Sequence, residues 1–455
     1  MCEERSQRSG RERSNEMVTL NANGSAGRSR CVSVVAAVVL IGWCAAASAQ
    51  VRNVAASDYP GGYVVLPKVI THTTGGTPPV LAGGIATDTL IQMSNTNEAA
   101  PITVDCWWVD ANSHCGSVCN PLTADCIICE TNADCAAQGL PGVNCVPDWG
   151  VRDFQVTLTN GQPIGFLASS GLNPVPCDPI FSQSTCQAAA GGSVQPVQED
   201  PFRGELKCVQ VDVNDVPVLR SDLKIEATII STRVPPAVIG PPGVSGPTTA
   251  ASYNGIGFAA TAAGTGDPAD PLCLGTPPTG GTGTCAAEYV PCPGVLILDS
   301  FFEGAVPEFG GIVETELTLV PCSENLGDPT VQRNFDVLAQ MLVYNEFEQR
   351  LSTSARVECF RSTPLALIGN PSGGPFGIFA VGIEGTLTGQ TRIRGVQGSS
   401  GPLGYGLLGV ATENYRTTPG GPILATDAFN LHNSGFRADG DAVFRTLFPP
   451  PPPGP

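Results

Sequence analysis

The stretch RDFQVTLT, residues 152–159, alternates apolar and polar side chains almost strictly. Phe154, Val156 and Leu158 fall on one face of an extended chain, while charged, amide and hydroxyl side chains fall mostly on the other. A period of two is the pattern of a β-strand with one buried face. The stretch therefore predicts a strand that packs one side against a core.

Segments of this kind recur at intervals of roughly 10 residues, each bounded by turn-forming residues. They are rich in β-branched and aromatic residues, which favour a pleated and half-buried surface. The other segments are 63–71, 88–95, 101–109, 204–213, 224–231, 253–260, 295–301, 312–320, 355–360, 377–388, 391–396 and 405–411. Hairpin-like gaps between them predict antiparallel sandwiches, since a parallel sheet would need crossover helices.

Residues 331–351 are the one serious helix candidate. Phe335, Val337 and Ala339 alternate with other residues there, which predicts a long strand. A helix stays open as the alternative, because apolar residues also recur in this stretch at spacings of three and four.

The composition excludes several architectures. Gly and Pro number 54 and 41 among 455 residues, too many for a helical bundle or a long coiled coil. Hydrophobic residues make up 42% and charged residues 14%, so the chain can bury a core and is not disordered throughout.

Two Pro- and Gly-rich stretches, 233–250 and 261–284, interrupt the strands. We place a domain boundary in the second, because 224–231 and 252–260 could be neighbouring strands joined by the first. Two sandwich domains also fit the chain length better than one. The predicted divisions are a signal peptide with an N-terminal extension at 1–49, a β-sandwich at 50–262 with a disulfide-rich loop insertion at 106–145, a second β-sandwich at 285–445, and a Pro-rich tail at 446–455.

The N-terminal region predicts export. Residues 32–47 carry no charge and precede Ala47-Ser48-Ala49, the small-x-small pattern of a signal peptidase site. The run is shorter than the roughly 20 apolar residues of a permanent anchor, so no stable membrane span is expected after cleavage. Cys44 does not indicate a lipoprotein, because Trp43 precedes it where a small residue is required. The protein is therefore predicted to be secreted, periplasmic or at the cell surface.

The net charge of the chain limits the classes of molecule that it is expected to bind. A formal net charge of −18 disfavours nucleic acid and anionic lipid, which are themselves anionic. A surface polysaccharide or a protein remains possible as a partner, and no cofactor is indicated.

Cysteine usage fits an oxidising compartment. Three of the 18 cysteines lie in residues 1–49, and most of the others are expected to form disulfides. Seven crowd into 40 residues with almost no apolar run between them: Cys106, Cys115, Cys119, Cys126, Cys129, Cys135 and Cys145. The CxxC spacing of Cys126 and Cys129, with His114 nearby, raises a zinc site as the alternative. Since no second ligand pair follows at a suitable spacing, we expect a disulfide-bonded loop without metal.

Cys292 and Cys322 are predicted to form a disulfide. Segments 295–301 and 312–320 are separated by a turn-rich stretch and are interpreted as an antiparallel hairpin. The two cysteines lie at nearly equal distances from the turn, which would bring their Cα atoms to about 5.5 Å.

Catalytic motifs are largely missing from the sequence. It contains no GxSxG, HExxH or Walker pattern, and the single GxGxxG at 404–409 has no βαβ context. His72, His114 and His432 are interpreted as ordinary polar residues.

Two carboxylate pairs, Glu314 with Glu316 and Glu346 with Glu348, would suit a glycosidase if each pair shared a strand face. An acidic solvent face gives the same pattern. Trp107 and Trp108 could stack on sugars, although neighbouring strand residues point to opposite faces, so one at most is exposed.

Four stretches carry a resemblance: residues 88–115, 204–213, 295–305 and 386–396. Together they resemble exported, Cys-containing, β-rich proteins of environmental Gram-negative bacteria, and the CETNADC stretch at 129–135 resembles short disulfide segments of such surface proteins. The resemblance implies no activity and no site residue. SNTNEAAPITV, residues 94–104, is similar to an early hairpin of Ig-like surface domains, which implies Ig-like sandwiches.

Two functions follow from these observations. The preferred one is an exported, non-enzymatic structural or adhesive protein. The alternative is a secreted carbohydrate-active protein, either a sugar-binding module or a glycosidase. An exposed aromatic platform or a cleft with convergent carboxylates would favour the alternative.

Overall fold

The computed structural model is all-β, and its strands pair antiparallel. The predicted signal segment, the Pro-rich tail and most of the boundary stretch at 261–284 lie outside the residues that it describes. The described residues are 55, 57, 59–77, 79–81, 84–111, 116–118, 132–142, 146–148, 151–173, 194–234, 248–261, 288–293, 295–306, 310–322, 337–357, 360–368, 377–379, 385–397, 406–418, 421 and 423–433.

Two sheets come from the first half of the chain. Sheet I has the order β11-β1-β8-β3-β6, and sheet II has the order β10-β9-β2-β7. The strands of sheet I are β1 Tyr63–Thr71, β3 Ile102–Asp110, β6 Val151–Leu158, β8 Phe202–Val211 and β11 Ile256–Phe258. Those of sheet II are β2 Ile85–Asn95, β7 Pro163–Leu167, β9 Leu223–Arg233 and β10 Thr248–Asn254.

Two further sheets come from the second half. Sheet III has the order β16-β15-β18-β12-β21, and sheet IV has the order β13-β14-β19-β20 with β17 also paired to β14. Their strands are β12 Val295–Phe302, β13 Gly304–Val306, β14 Gly311–Cys322, β15 Val337–Asn345, β16 Arg350–Val357, β17 Arg361–Pro364, β18 Thr388–Gln397, β19 Gly406–Arg416, β20 Ile423–Asn430 and β21 His432–Asn433. The remaining elements are a small β4–β5 pair, Gly116–Val118 with Val146–Asp148, a short helix α1 at Asn132–Ala137 and a 3₁₀ turn at Leu365–Leu367.

The stretch RDFQVTLT forms β6, as its alternation predicts. Phe154, Val156 and Leu158 are buried in the core between sheets I and II, while Asp153 and Gln155 face solvent. The same core holds Trp108 of β3, whose ring contacts Phe154, Phe166 and Phe202. Aromatic rings bury large apolar areas, so this cluster anchors the first half of the molecule.

The four sheets form a propeller-like ring and are not clearly two separate Ig-like sandwiches. One core fills the space between sheets I and II, and another the space between sheets III and IV. A third apolar cluster joins the outer face of sheet I to sheet IV, with Tyr63 and Val65 on one side and Val320 and Leu408 on the other. Because both faces of β1 are covered, nearly every residue of this strand is buried.

For residues 331–351, the strand interpretation is correct and the helix alternative is wrong in the part that the structure describes, residues 337–351. β15 runs from Val337 to Asn345, and the chain then turns into β16 at Arg350. The expected pairing of 224–231 with the segment after the first Pro-rich stretch is also found, since β9 pairs with β10.

Candidate functional site

Cys292 and Cys322 form a disulfide with Cα atoms 5.9 Å apart, and this is the pair that the spacing predicts. The predicted hairpin is wrong, because β12 pairs with β18 and β21 while β14 pairs with β13, β17 and β19. The disulfide instead links the stretch before β12 in sheet III to the end of β14 in sheet IV.

The two glycines of the GxGxxG motif that the structure describes, Gly406 and Gly409, have a packing role. A Cβ on Gly406 would lie 2.3 Å from the Cβ of Cys292, so only glycine fits beside the disulfide. A Cβ on Gly409 would lie 2.5 Å from Leu431 Cδ1. Both glycines lie in β19 and allow close packing, which explains the motif without a nucleotide.

Cys106 does not belong to the Cys-rich insertion. It lies in β3, directly opposite Cys208 of β8, and the two form a buried disulfide. The insertion therefore begins later than residue 106, since β3 continues to Asp110. Cys135 is also disulfide-bonded. The other predicted members lie outside the described residues: Cys115, Cys119, Cys126, Cys129 and Cys145.

No metal centre is found in the part of the chain that the structure describes. There, no group of three or more His, Cys, Asp or Glu side chains is arranged to hold an ion. His114, the predicted neighbour of a zinc site, lies outside the described residues. The backbone of His72 pairs with Thr87, and His432 lies in β21 beside β12.

The two predicted carboxylate pairs are not convergent acid/base pairs. Glu314 forms an ion pair with Arg416 at 2.7 Å, and Glu316 forms one with Lys68 at 3.0 Å. Glu346 and Glu348 do not share a strand face, because β15 ends at Asn345 and both lie in the following turn. Thr388 donates a hydrogen bond to Glu346.

The two tryptophans separate as strand geometry requires. Trp108 is buried, and its indole N–H donates to Gln195 O at 2.8 Å. Trp107 lies on the opposite, outer face of sheet I, where it is half-buried and packs against Val109 and the third apolar cluster.

Polar residues surround Trp107 on the outer side of β3 and β6. They form three cross-strand pairs: Thr103 with Thr157, Asp105 with Gln155, and Trp107 with Asp153. We call these six residues the Trp107 face. Asp153 and Gln155 are exposed and the other four are half-buried, so this part of the sheet presents hydrogen-bonding groups to solvent.

Gln155 organises the Trp107 face. Its amide nitrogen donates to Asp105 Oδ1 and to Asp215 Oδ1, both at 2.7 Å, and so ties β6 to β3 and to the turn after β8. Burial raises the pKa of Asp105, and the nearby Asp215 and Asp153 add to the rise, while Gln155 opposes it. The face is therefore rich in acceptors that are already oriented, which suits a ligand with many hydrogen-bond donors.

Two exposed apolar side chains lie at the tips of matching turns. Val213 is 92% exposed and Phe347 is 69% exposed. In the first turn Asp212 Oδ1 accepts from the N–H groups of Asn214 and Val216. In the second, Asn345 Oδ1 accepts from the N–H groups of Phe347 and Gln349. Side-chain acceptors of this kind hold a turn in one conformation, so both tips are presented on ordered backbone.

Two of the three lysines of the chain are buried between the sheets. Lys68 is 2% exposed, and its ammonium also donates to Thr412 Oγ1 at 2.7 Å. Lys207 is 6% exposed and lies 3.6 Å from Glu205 Oε2. Buried charges of this kind need partners, and the lysines have them in Glu316 and Glu205.

Sequence reasoning missed most of the residues described above. It placed Trp107 and Trp108 on opposite faces but gave no signal for the pairing of Asp105 with Gln155. The sequence also contained no signal that Lys68 and Lys207 are buried beside glutamates.

The chain matches no protein-family model and no curated protein. Among solved structures it is similar to the CupB6 tip adhesin from Pseudomonas aeruginosa, with 12% sequence identity and a TM-score of 0.11. The match covers 84% of this chain and 93% of that chain. A TM-score this low carries no argument about fold or function. The resemblance to exported proteins of Gram-negative bacteria stays a prediction.

Proposed function

We propose that the protein is exported and acts as a non-enzymatic structural or adhesive protein at the cell surface or in the extracellular space. The observation that carries this proposal is the Trp107 face, a row of oriented hydrogen-bonding groups around a half-buried indole, in which Asp153 and Gln155 are exposed. It lies on a sheet whose other side is fixed by the Cys106–Cys208 disulfide and the Trp108 core. A surface held in this way loses little entropy on binding, which favours affinity.

Export is part of the proposal, with the signal peptide at 1–49 as the route. Disulfides support it, because they persist in oxidising compartments. Among the described residues no helix is long and apolar enough to span a membrane, which is compatible with a secreted, periplasmic or surface-bound protein.

The finer architecture belongs to the same proposal. We take residues 50–262 and 285–445 as two units related to Ig-like sandwiches. The two largest cores support this division, because each lies mainly between two sheets of one half; Val410 and Ala428 of sheet IV also belong to the first core. In this interpretation the third cluster fastens the units into the ring.

Binding assays with matched variants test the adhesive function. Asp153→Asn combined with Gln155→Ala removes one charge and the organising amide from the Trp107 face. Glu346→Gln combined with Phe347→Ala removes one charge and an exposed side chain from a distant turn. Binding of the labelled full chain to cells and to immobilised extracellular matrix is measured for both. The first variant should lose at least tenfold in affinity, roughly the effect of a central contact, and the second less than twofold.

Equal binding by the wild type and the Trp107-face variant would remove the Trp107 face from the proposal. Circular dichroism and thermal melting of both variants show whether a loss of binding reflects the surface or the fold.

A sugar-binding module is the second candidate, and Trp107 is the observation that favours it. An indole beside carboxylate and amide acceptors can stack on a sugar ring while the acceptors take its hydroxyl protons. Periodate oxidation of the target surface would abolish binding if the ligand is a sugar. Protease treatment of the surface would abolish it if the ligand is a protein. A glycosidase gains no support from Glu314 and Glu316, since both are held in ion pairs.

A further inference from the structure

Glu303 is the one residue between a strand of sheet III and the next strand of the chain, which belongs to sheet IV. β12 of sheet III ends at Phe302, and β13 of sheet IV begins at Gly304, whose φ is 132°. The N–H of Glu303 donates to Leu387 O at 2.9 Å. Its side chain is 7% exposed, so this crossover carries a carboxyl group into the interior.

The carboxyl group of Glu303 fills a gap in the edge of β14. One edge of β14 pairs continuously with β19. On the other edge β13 covers residues 311–313 and β17 covers residues 316–319, which leaves Glu314 and Thr315 between them. The N–H of Thr315 donates to Glu303 Oε2 at 2.8 Å. Ala366, just after β17, also donates its N–H to this carboxyl group. Glu303 therefore connects β14 to the end of β17 at a point where neither β13 nor β17 pairs with β14.

The crossover has two further ties to sheet IV. Thr315 donates its hydroxyl to Phe302 O at 2.8 Å. Glu413, opposite Thr315 on β19, accepts the N–H of Phe302. Loss of the contacts of Glu303 would therefore weaken the whole connection from β12 to β13.

The charged groups that face Glu303 are themselves acidic. Glu314 of β14 and Glu413 of β19 both act on it. Glu314 is paired with Arg416 at 2.7 Å, whereas Glu413 lies opposite Asp427 of β20. A negative charge on Glu303 would be poorly hydrated and repelled by these neighbours. Burial, and to a lesser extent Glu314 and Glu413, raise the pKa of Glu303 to about 7, against the backbone N–H groups that lower it.

We propose that Glu303 is a proton-operated clasp on the edge of sheet IV. With its proton on, the carboxyl group still accepts from Thr315 and holds β13 against β14. When the proton leaves, the poor hydration of the buried charge and its repulsion by Glu314 and Glu413 weaken the clasp, and β13 separates from the edge of β14 more often. The change falls close to neutral pH, a range that an exported protein meets. This inference does not depend on the adhesive function.

Hydrogen exchange on the full chain tests the clasp. Amide exchange is followed by mass spectrometry at pH 6 and pH 8.5, and each rate is corrected for the intrinsic effect of pH. In the wild type, the opening of residues 304–306 and 311–315 should be at least roughly tenfold more frequent at the higher pH, since a displacement of the pKa by one unit corresponds to a factor of 10. In Glu303→Gln, which keeps an acceptor for Thr315, the corrected opening should be the same at both pH values.

Glu346→Gln is the matched control, because it removes an exposed carboxylate from the turn after β15 and should leave the wild-type pH response intact. The amides of β15 and β16 serve as an internal reference that should not respond. If Glu303→Gln does not fold, Glu413→Gln replaces it. Removal of this like charge lowers the pKa of Glu303, so the rise in opening between pH 6 and pH 8.5 should be smaller than in the wild type and should end at a lower pH. A flat wild-type response, or a response retained in Glu303→Gln, would overturn the proposal.

Discussion

Glu316 and Glu303 differ in one respect that matters, the charge of their neighbours. Burial alone would raise the pKa of both carboxyl groups. Lys68 lies 3.0 Å from Glu316 and, with a hydrogen bond from Ser362, brings the pKa of Glu316 below its ordinary value. Glu303 has backbone N–H groups as donors and carboxylates as charged neighbours, so its pKa rises to about 7. The charged form of a buried carboxyl group is therefore stabilised by a nearby cation, while burial by itself destabilises it.

The two glutamates therefore give opposite pH dependence. Glu316 has a lowered pKa, so its contribution to stability is present above the unfolded value of 4.5 and is lost as the pH falls through the folded value. Glu303 has a raised pKa, so its contribution is present below 4.5 and is lost as the pH rises through about 7. Since the two contributions are present together only close to the unfolded value of 4.5, these two groups place the most stable pH near that value.

Removing the cation from Glu316 should have the largest effect. Lys68→Met leaves a largely buried carboxylate without its ion pair and should lower the free energy of unfolding at pH 7 by about 3–5 kcal/mol. Urea denaturation measures this change. Lys68→Met with Glu316→Leu removes both charges and should recover most of the loss. A single variant as stable as the wild type would show that the ion pair between sheets I and IV contributes nothing.

The pH dependence caused by Glu303 comes next in size. A rise of its pKa from 4.5 to about 7 corresponds to about 3 kcal/mol of stability lost between pH 4.5 and pH 8. The quantity to compare is the difference in unfolding free energy between the wild type and Glu303→Gln across this range. This difference should change in favour of the variant as the pH rises. A constant difference would contradict the assigned pKa.

A smaller effect is expected from the like-charged neighbour of Glu303. Burial raises the pKa of Glu413, with Asp427 adding to the rise, and its side chain is only partly buried. Glu413→Gln keeps an acceptor for Phe302 and removes one repulsion, so it should stabilise the protein at pH 8 by less than about 1 kcal/mol. At pH 4.5, where Glu303 is mostly protonated, the gain should shrink. Thermal melts at the two pH values measure both.

The smallest of these effects should come from an ion pair that is more accessible to water than Lys68 and Glu316. Glu314 and Arg416 lie 2.7 Å apart, with side chains 35% and 18% exposed. Water screens such pairs, so Glu314→Gln should cost about 0–1 kcal/mol at pH 7. Chemical denaturation in low and high salt checks this value. A loss as large as that of Lys68→Met would mean that exposure does not separate the two pairs.

Local patterns in the sequence predicted most of the strands. The predicted segment 377–388 was wrong, because residues 377–379 and 385–387 form turns and bends and β18 begins at Thr388. RDFQVTLT predicted β6 because its alternation is imposed by the core on one side and by water on the other. The disulfide between Cys292 and Cys322 was predicted from spacing, but the hairpin behind that prediction was wrong. Equal distances along the chain do not reveal that Glu303 moves the chain from sheet III to sheet IV between the two cysteines.

The candidate site was largely hidden because its contacts are remote in sequence. Gln155 meets Asp105 across 50 residues that include the Cys-rich stretch. Lys68 meets Glu316 from the other half of the chain. A period of two assigns residues to a face but does not set the register between strands. The four-sheet ring was missed for the same reason, since the cluster between sheets I and IV depends on β1 being covered on both sides.

The burial of Lys68 and Lys207 also governs how the molecule meets reactive chemicals. Lys224, in β9, is half-buried and is the remaining lysine of the chain. Aldehydes and activated esters therefore have one side-chain amine within reach on the folded protein. Coupling through Lys224 would fix molecules on a support in one orientation, with the Trp107 face on a different sheet from the point of attachment.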